Sequence, residues 1–415
     1  MSYESRRKIR SLLNAAIRKT GKNFPDLTSA VQELCRNYTN AVSGGSSVVS
    51  DTACDSVGRL SALLSIINTV TGIAHPNLTS AMATLCGGYA EKLYSFGALS
   101  DTHIQYETGV DDLKRALPYL DDKVEFNCIC GDLVWCATAE YMAQYKAIIN
   151  DTTFTTKPVY ECAGNHESYP ANATTGTVDK ALWEDTTGWD NHTNCVGDSL
   201  YYYFMRGSDV FIMFSALTDN PVTFPTGALD WLKNVLETNR NKRCFVFQHY
   251  QDPSDVAADP SGIYSPILDK SADGRLFLKL MKHYKNAIWF HGHTHLSITT
   301  ERDGYKPVST ALGYKSVHIP SLQGVRYWHD GDTELKTSYQ TVNESGTTIT
   351  VQGGSHSEGY IVDVYDNKIV IRGIDFAVHY YNADWTSRYE VEPMEDKVFT
   401  LDTTIQTIEA GTFVE

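Results

Sequence analysis

A chain of 415 residues with 42% apolar and 20% charged side chains has a globular composition and room for one large domain plus a smaller one. Its formal charge of −15 argues against a surface built to coat nucleic acid, which is normally basic. It leaves a nuclease open, because bound divalent cations invert the local charge. No apolar run reaches the length of a membrane span, and no apolar stretch follows the charged start, so the sequence predicts a cytoplasmic product without a signal peptide. Cys128, Cys130, Cys162 and Cys244 fall inside apolar runs and read as reduced core residues.

The first ninety residues contain a duplication. Leu27-Thr28-Ser29-Ala30 corresponds to Leu78-Thr79-Ser80-Ala81, Leu34-Cys35 to Leu85-Cys86, and Tyr38 to Tyr89, all at one constant offset. Each unit reads as helix, glycine stop, proline-containing turn and helix, with Thr28 or Ser29, and Thr79 or Ser80, as candidate caps. Two such hairpins are too small for a deep core, so residues 1–90 are expected to form a docking module against the main domain, a second copy or another chain. Ile17-Arg18-Lys19-Thr20-Gly21 and the pattern after it resemble helical repeats of phage and prophage tail proteins. That resemblance implies attachment to a virion. A helical docking module of no particular origin has equal standing.

From residue 91 onwards strands alternate with helices, which predicts a parallel-rich α/β domain running to 415. Leu93–Leu99 reads as a strand that runs into Asp101-Thr102-His103, where an Asp and a His two residues apart can face one metal ion. Asp111–Leu120 reads as a helix, and Val124–Cys130 as a strand leading into Gly131-Asp132. A carboxylate in that position can bridge two cations, although a helix cap is the commoner use of Gly-Asp. Tyr141–Ile149 is a further helix. Pro158–Cys162 is a buried strand that ends in Gly164-Asn165-His166-Glu167, at the sheet edge where α/β proteins place their chemistry.

Residues Ser168–Ser199 lack clear periodicity and read as a long loop, shaping the pocket or only decorating the surface. Leu200–Met205 and Val210–Ala216 read as paired strands, and Gly227–Thr238 as a helix. Cys244–Gln248 is a strand ending in His249, and Ala287–Phe290 one ending in His291-Gly292-His293-Thr294-His295. His293 and His295 point the same way if that segment is extended. His291 lies before the glycine and reads as core, or as support to the ligands. Tyr360–Tyr365 and Lys368–Gly373 predict a hairpin that extends the sheets. The tail after Val378 has no functional reading.

The inventory of carboxylates, one amide and imidazoles suits a pair of borderline first-row cations, Mn, Fe or Zn, better than calcium or magnesium. Taken in order, the motifs resemble the calcineurin-like metallophosphoesterase superfamily over roughly Lys92–Gly373. The resemblance implies a two-sheet β-sandwich core flanked by helices, alongside the small N-terminal α-helical repeat region. It also implies that Asp101, His103 and His295 bind a first metal, Asp132 bridges, and Asn165, His249 and His293 bind a second. His166 would be the non-ligand imidazole that contacts the phosphoryl oxygen or protonates the leaving group, with Glu167 supporting it from behind.

The implied activity is hydrolysis of phosphodiesters or phosphomonoesters by a metal-bridging hydroxide. A phage tail-associated enzyme acting on cell-wall polymers of the teichoic-acid type is the more specific version. The alternatives are a nuclease, and a virion structural or adhesion protein that retains a vestigial metallophosphoesterase fold.

Overall fold

The computed structural model describes residues 29–34, 63–69, 81 and most of 92–403, the omitted stretches in the latter being 106, 172–175, 190–193, 220, 252–267, 301–305, 327–335, 337, 343–347, 353–355, 378, 381–387 and 390. The chain divides into two compact units, Met1–Lys92 and Leu93–Glu415. In the first unit residues 29–34 and 63–69 are helical, with Ala30, Val31 and Leu34 buried on one and Leu63 and Ile67 on the other. The rest of the duplicated hairpins lies outside the described residues.

The second unit begins with β1 (Lys92–Leu99), α1 (Glu107–Asp121), β2 (Asn127–Cys130), α2 (Ala139–Ile149) and β3 (Val159–Cys162). These three strands pair in parallel, with Ala98 opposite Cys128 and Cys130 opposite Cys162. Residues Ser168–Ser199 depart from the loop expectation. They contain α3 (Lys180–Thr187) and β4 (Val196–Asp198). The signals for α3 are local: Asp179 accepts from the backbone N–H groups of Ala181 and Leu182, and Gly188 closes the helix in a left-handed conformation at φ 63°. Trp183 is no part of a surface loop, being 1% exposed with its indole N–H donating to Ser199 O at 3.0 Å.

The second sheet is built from β4, β5 (Tyr201–Arg206), β6 (Asp209–Phe214), β7 (Cys244–Phe247), β8 (Ala287–His291), β9 (Val308–Ser309) and β10 (Lys315–His318). Its order is β4-β5-β6-β7-β8-β10-β9, parallel from β6 through β10. Helix α4 (Ala228–Thr238) precedes β7, and α5 (Ala272–His283) precedes β8. The sequence reading did not include α5. Its start is set by Ser271, which accepts from Gly274 N–H at 2.9 Å. The sequence reading also takes Gln251–Pro266 as a loop bearing on substrate choice; all of it but Gln251 lies outside the described residues.

A short antiparallel pair, β11 (Ser338–Val342) and β12 (Thr348–Gln352), comes next. The expected hairpin is present as β13 (Glu358–Tyr365) and β14 (Lys368–Asp375), turning at Asp366-Asn367. Another small pair, β15 (His379–Tyr380) and β16 (Arg388–Tyr389), precedes β17 (Glu392–Asp402). The first sheet then reads β17-β14-β13-β1-β2-β3.

An aromatic-rich core joins the inner faces of the sheets. Phe96 meets Phe211 edge-on at 5.2 Å between ring centres and Phe245 at 5.4 Å. One outer face buries α1 and α2 through Leu113, Leu117, Met142 and Tyr145. The other buries α4 and α5 through Leu232, Leu236, Phe277 and Leu280. The result is two mixed sheets flanked by helices. At the amino ends of β1, β6 and β7 the sheets are clamped by buried polar groups. Arg243 pairs with Asp209 at 2.6 Å, and Tyr94 O–H donates to the same carboxylate at 2.6 Å. This leaves the carboxyl ends for chemistry.

Candidate metal centre

The residues that follow β1, β2, β3, β7 and β8 meet at one end of the sandwich. Backbone hydrogen bonds fix their paths. Asp101 N–H donates to Gly131 O at 3.1 Å, His103 N–H to Asp132 O at 3.0 Å, and Gly292 N–H to His249 O at 2.9 Å. Two glycines are needed for the close approach: a Cβ on Gly164 would run into Asp132 Oδ1, and one on Gly292 into Ser100 Oγ. The chain also bends into left-handed conformations, with Asp101, His103, Asp132, His293 and His295 all at φ between 44° and 73°. Among the described residues only Ala171 otherwise does this without being glycine. Such conformations cluster where a site needs side chains aimed against backbone preference.

The side chains form two groups. Asp101, His103, Asp132 and His295 each bring a ligand atom within 4.8 Å of the others, and Asp132, His249 and His293 do the same. Asp132 belongs to both. His295 Nε2 lies 3.2 Å from Asp101 Oδ1, and His249 Nε2 lies 3.2 Å from Asp132 Oδ2. His103 Nε2 is 3.0 Å from His295 Nε2. Asn165 Oδ1 lies 2.7 Å from His293 Nδ1, beside the second group.

Buried lone pairs here lack donors. Asp101 Oδ1 and His249 Nε2 have no hydrogen-bond partner among the described residues. His249 Nδ1 lies 2.6 Å from Cys130 O, so Nδ1–H donates to that carbonyl, which turns Nε2 towards the two carboxylates. Converging acceptors without donors are what a divalent cation satisfies.

The electrostatics agree. Burial would raise the Asp101 carboxyl, but His295 and His249 hold it below the usual carboxylate range. Burial would likewise raise Asp132, and His249 and His166 hold it well below that range. Burial works to lower His249, yet Asp132 and Asp101 push it up to about 10. The two carboxylates therefore stay ionised and draw positive charge to the place where a cation would sit.

His166 belongs to neither group, although its ring lies 4.6 Å from that of His103. Its backbone N–H donates to Asp132 Oδ1 at 2.9 Å. Its Nδ1 lies 2.5 Å from Trp135 O, so Nδ1–H donates to that carbonyl. Nε2 is then turned inward, 3.8 Å from Asp132 Oδ2. The ring sits between Trp135 and Tyr169, at 4.6 and 4.9 Å between centres.

Glu167 belongs to neither ligand group. It accepts from the backbone N–H groups of Gly164 at 2.7 Å, Leu133 at 2.8 Å, Asp132 at 3.0 Å and Val134 at 3.2 Å. It therefore ties the turn after β2 to the turn after β3. Burial, with Asp132 beside it, pushes its carboxyl up to about 7 against those donors. His291 is 1% exposed and packs on Trp289 at 4.8 Å, which makes it a core residue.

The sequence reading missed Trp135, Tyr169 and Asp219. Tyr169 O–H donates to Asp219 Oδ2 at 2.5 Å and accepts from Asn165 Nδ2 at 3.0 Å. Tyr169 follows the Asn165-His166 pair closely enough in the chain to have drawn notice. Asp219 carries no local signal, because its contact spans fifty residues.

A two-sheet α/β fold with metal-ligand side chains gathered at strand ends defines a candidate site for divalent cations. Residues 94–297 match the model of the calcineurin-like phosphoesterase family, which supports placing this part of the chain in that superfamily. No curated protein matches the chain. Among solved structures it is similar to the purple acid phosphatase PPD1 from yellow lupin (Lupinus luteus) seeds, at 12% identity and a TM-score of 0.41, covering 78% of this chain and 57% of that one. It is also similar to GAP50, the anchor in the inner membrane complex of Plasmodium, at 13% identity and a TM-score of 0.42, covering 73% and 90%. A third is Vacuolar Protein Sorting 29 from Cryptosporidium parvum, at 11% identity and a TM-score of 0.30, covering 75% and 100%. The chain thus spans little more than half the length of the lupin protein. These likenesses are too distant to carry an activity or a partner across.

Proposed function

We propose that the chain is a metal-dependent phosphoesterase. The observation that supports this best is the pair of ligand groups sharing Asp132, each buried and each short of hydrogen-bond donors. Asp101, His103, Asp132 and His295 would hold one divalent ion, and Asp132, Asn165, His249 and His293 another, with Mn, Fe or Zn as the cations of suitable character. Bound there, such ions would supply Lewis acidity at the phosphoryl oxygens and an activated water as nucleophile.

The chain's own residues do the rest. Asp132 and Asp101 concentrate negative charge where the ions bind. Glu167 holds two turns in register, so the ligands keep their spacing. His166 is held by Trp135 O with Nε2 directed inward, the orientation a proton donor to a departing oxygen needs. General acid catalysis of this kind is worth typically ~10²–10⁴-fold. Phosphodiesters and phosphomonoesters are both within this chemistry.

The test is hydrolysis of bis(p-nitrophenyl) phosphate and p-nitrophenyl phosphate by the full chain with Mn²⁺, Zn²⁺ or Fe²⁺. Turnover should disappear with a chelator and return with metal. His166→Ala should lower kcat by ~10²-fold or more while bound metal, measured by elemental analysis, stays at the wild-type ratio. A fully active His166→Ala protein would refute the role given to that ring.

The finer reading is that residues 1–90 dock the enzyme onto a larger assembly, such as a phage tail, and bring it to phosphodiester polymers of a cell wall. The duplicated helical pattern supports this. Release of glycerol phosphate from wall preparations is the expected result, and absence of the protein from purified virions would overturn it.

A further inference from the structure

Asn165 presents a problem that its own position does not solve. An amide can face the centre with either end, and only the oxygen can bind a cation. The neighbouring hydrogen bonds decide between them. Asn165 Nδ2 donates to Tyr169 Oη at 3.0 Å, which leaves Oδ1 facing His293. Tyr169 can accept that bond in a fixed direction because its own proton is committed to Asp219 Oδ2 at 2.5 Å. Asp219 is in turn 6% exposed, so water competes little for its oxygen. The same tyrosine ring packs against His166 at 4.9 Å.

From these contacts we infer that Tyr169 and Asp219 form a latch that sets the amide of Asn165 and thereby the affinity of the second cation position. The inference rests on the two-cation reading above. Tyr169 and Asp219 are positioning residues, since neither offers an atom to the ligand groups. The order of the chain is what gives it direction. The carboxylate accepts, the hydroxyl donates to it and accepts from the amide, and the amide oxygen is left facing His293 Nδ1, at the second cation position. Phenylalanine at 169 removes the acceptor, so the amide nitrogen loses its anchor and the two amide orientations compete. Groups that orient metal ligands in this way typically change affinity by about tenfold to hundredfold when removed.

The experiment is a calorimetric titration of the metal-free full chain with Mn²⁺. The wild-type protein should show two binding steps. Tyr169→Phe should weaken one step by about tenfold to hundredfold and leave the other unchanged. The weakened step should be the one that His293→Ala abolishes, not the one that His295→Ala abolishes. Asp219→Leu should weaken the same step, whereas Asp219→Asn, which still accepts from the tyrosine, should retain most of the affinity. This last pair keeps the test available should Tyr169→Phe fail to fold. Melting of the metal-free proteins gives the control, because a general loss of packing would lower the melting temperature and weaken both steps together. If the wild-type chain binds fewer than two ions, the two-cation reading falls and the latch with it. If it binds two and these variants leave both steps intact, or weaken both equally, the latch alone is refuted.

Discussion

At the scale of single residues the centre is held against local preference. Five candidate ligands occupy left-handed backbone, each at a cost of about 1–3 kcal/mol. Hydrogen bonds from distant parts of the chain offset this, the four accepted by Glu167 among them. Glu358 plays a similar part on the far side of His295. It accepts from Ser297 Oγ at 2.8 Å and from Ile298 N–H at 2.7 Å. Burial, then Asp375, pushes its carboxyl from 4.5 up to about 8. A raised carboxyl binds its proton more tightly folded than unfolded, so stability falls as pH rises through that window. Glu358→Gln should therefore melt with a flatter pH dependence than the wild type between about pH 5 and 8, measured with chelator present. Parallel melting curves for the two proteins would refute the assignment.

Among the elements, α3 shows how a helix can hide in a stretch without hydrophobic periodicity. It is short, and its ends are capped while Trp183, Thr186 and Thr187 are buried. Asp179→Ala removes both capping bonds and should destabilise the protein by about 0.5–2 kcal/mol. The expected readout is a melting temperature lower by a few degrees with kcat unchanged. No change in melting would mean that the Trp183 contact alone secures the helix. The hairpin of β13 and β14 is the opposite case. It was legible because two apolar runs flank a two-residue turn at Asp366-Asn367: β13 is buried along nearly its whole length, and β14 alternates buried and half-buried residues over its first five positions.

For the whole molecule the balance of charge matters most at one point. The formal charge is −15, and Asp101 and Asp132 are buried together, 0% and 1% exposed. Cations that bind only the folded chain stabilise it by mass action, about 2.7 kcal/mol at a hundred times the dissociation constant. Exhaustive chelation should therefore lower the melting temperature, and Mn²⁺ added in excess should restore it in the wild type but not in Asp132→Asn. Identical melting with and without metal would count against any structural cation. No described helix is long and apolar enough to cross a membrane.

The sequence by itself determined which residues stand at strand ends: Asp101, His103, Asp132, Asn165, His166, His249, His293 and His295 each follow a mostly apolar run, because a parallel strand buried on both faces is largely apolar and its polar neighbours fall at its edge. It also determined the hairpin and the helices α1, α2 and α4. What it left open was everything set by contacts across long separations. The bond from Tyr169 to Asp219, the four N–H groups gathered by Glu167, the carbonyls of Cys130 and Trp135 that fix two imidazoles, and the left-handed turns themselves leave no periodic trace in the chain. They exist only once separate strands are brought side by side, since each is a directional bond between partners that the tertiary packing alone places within reach.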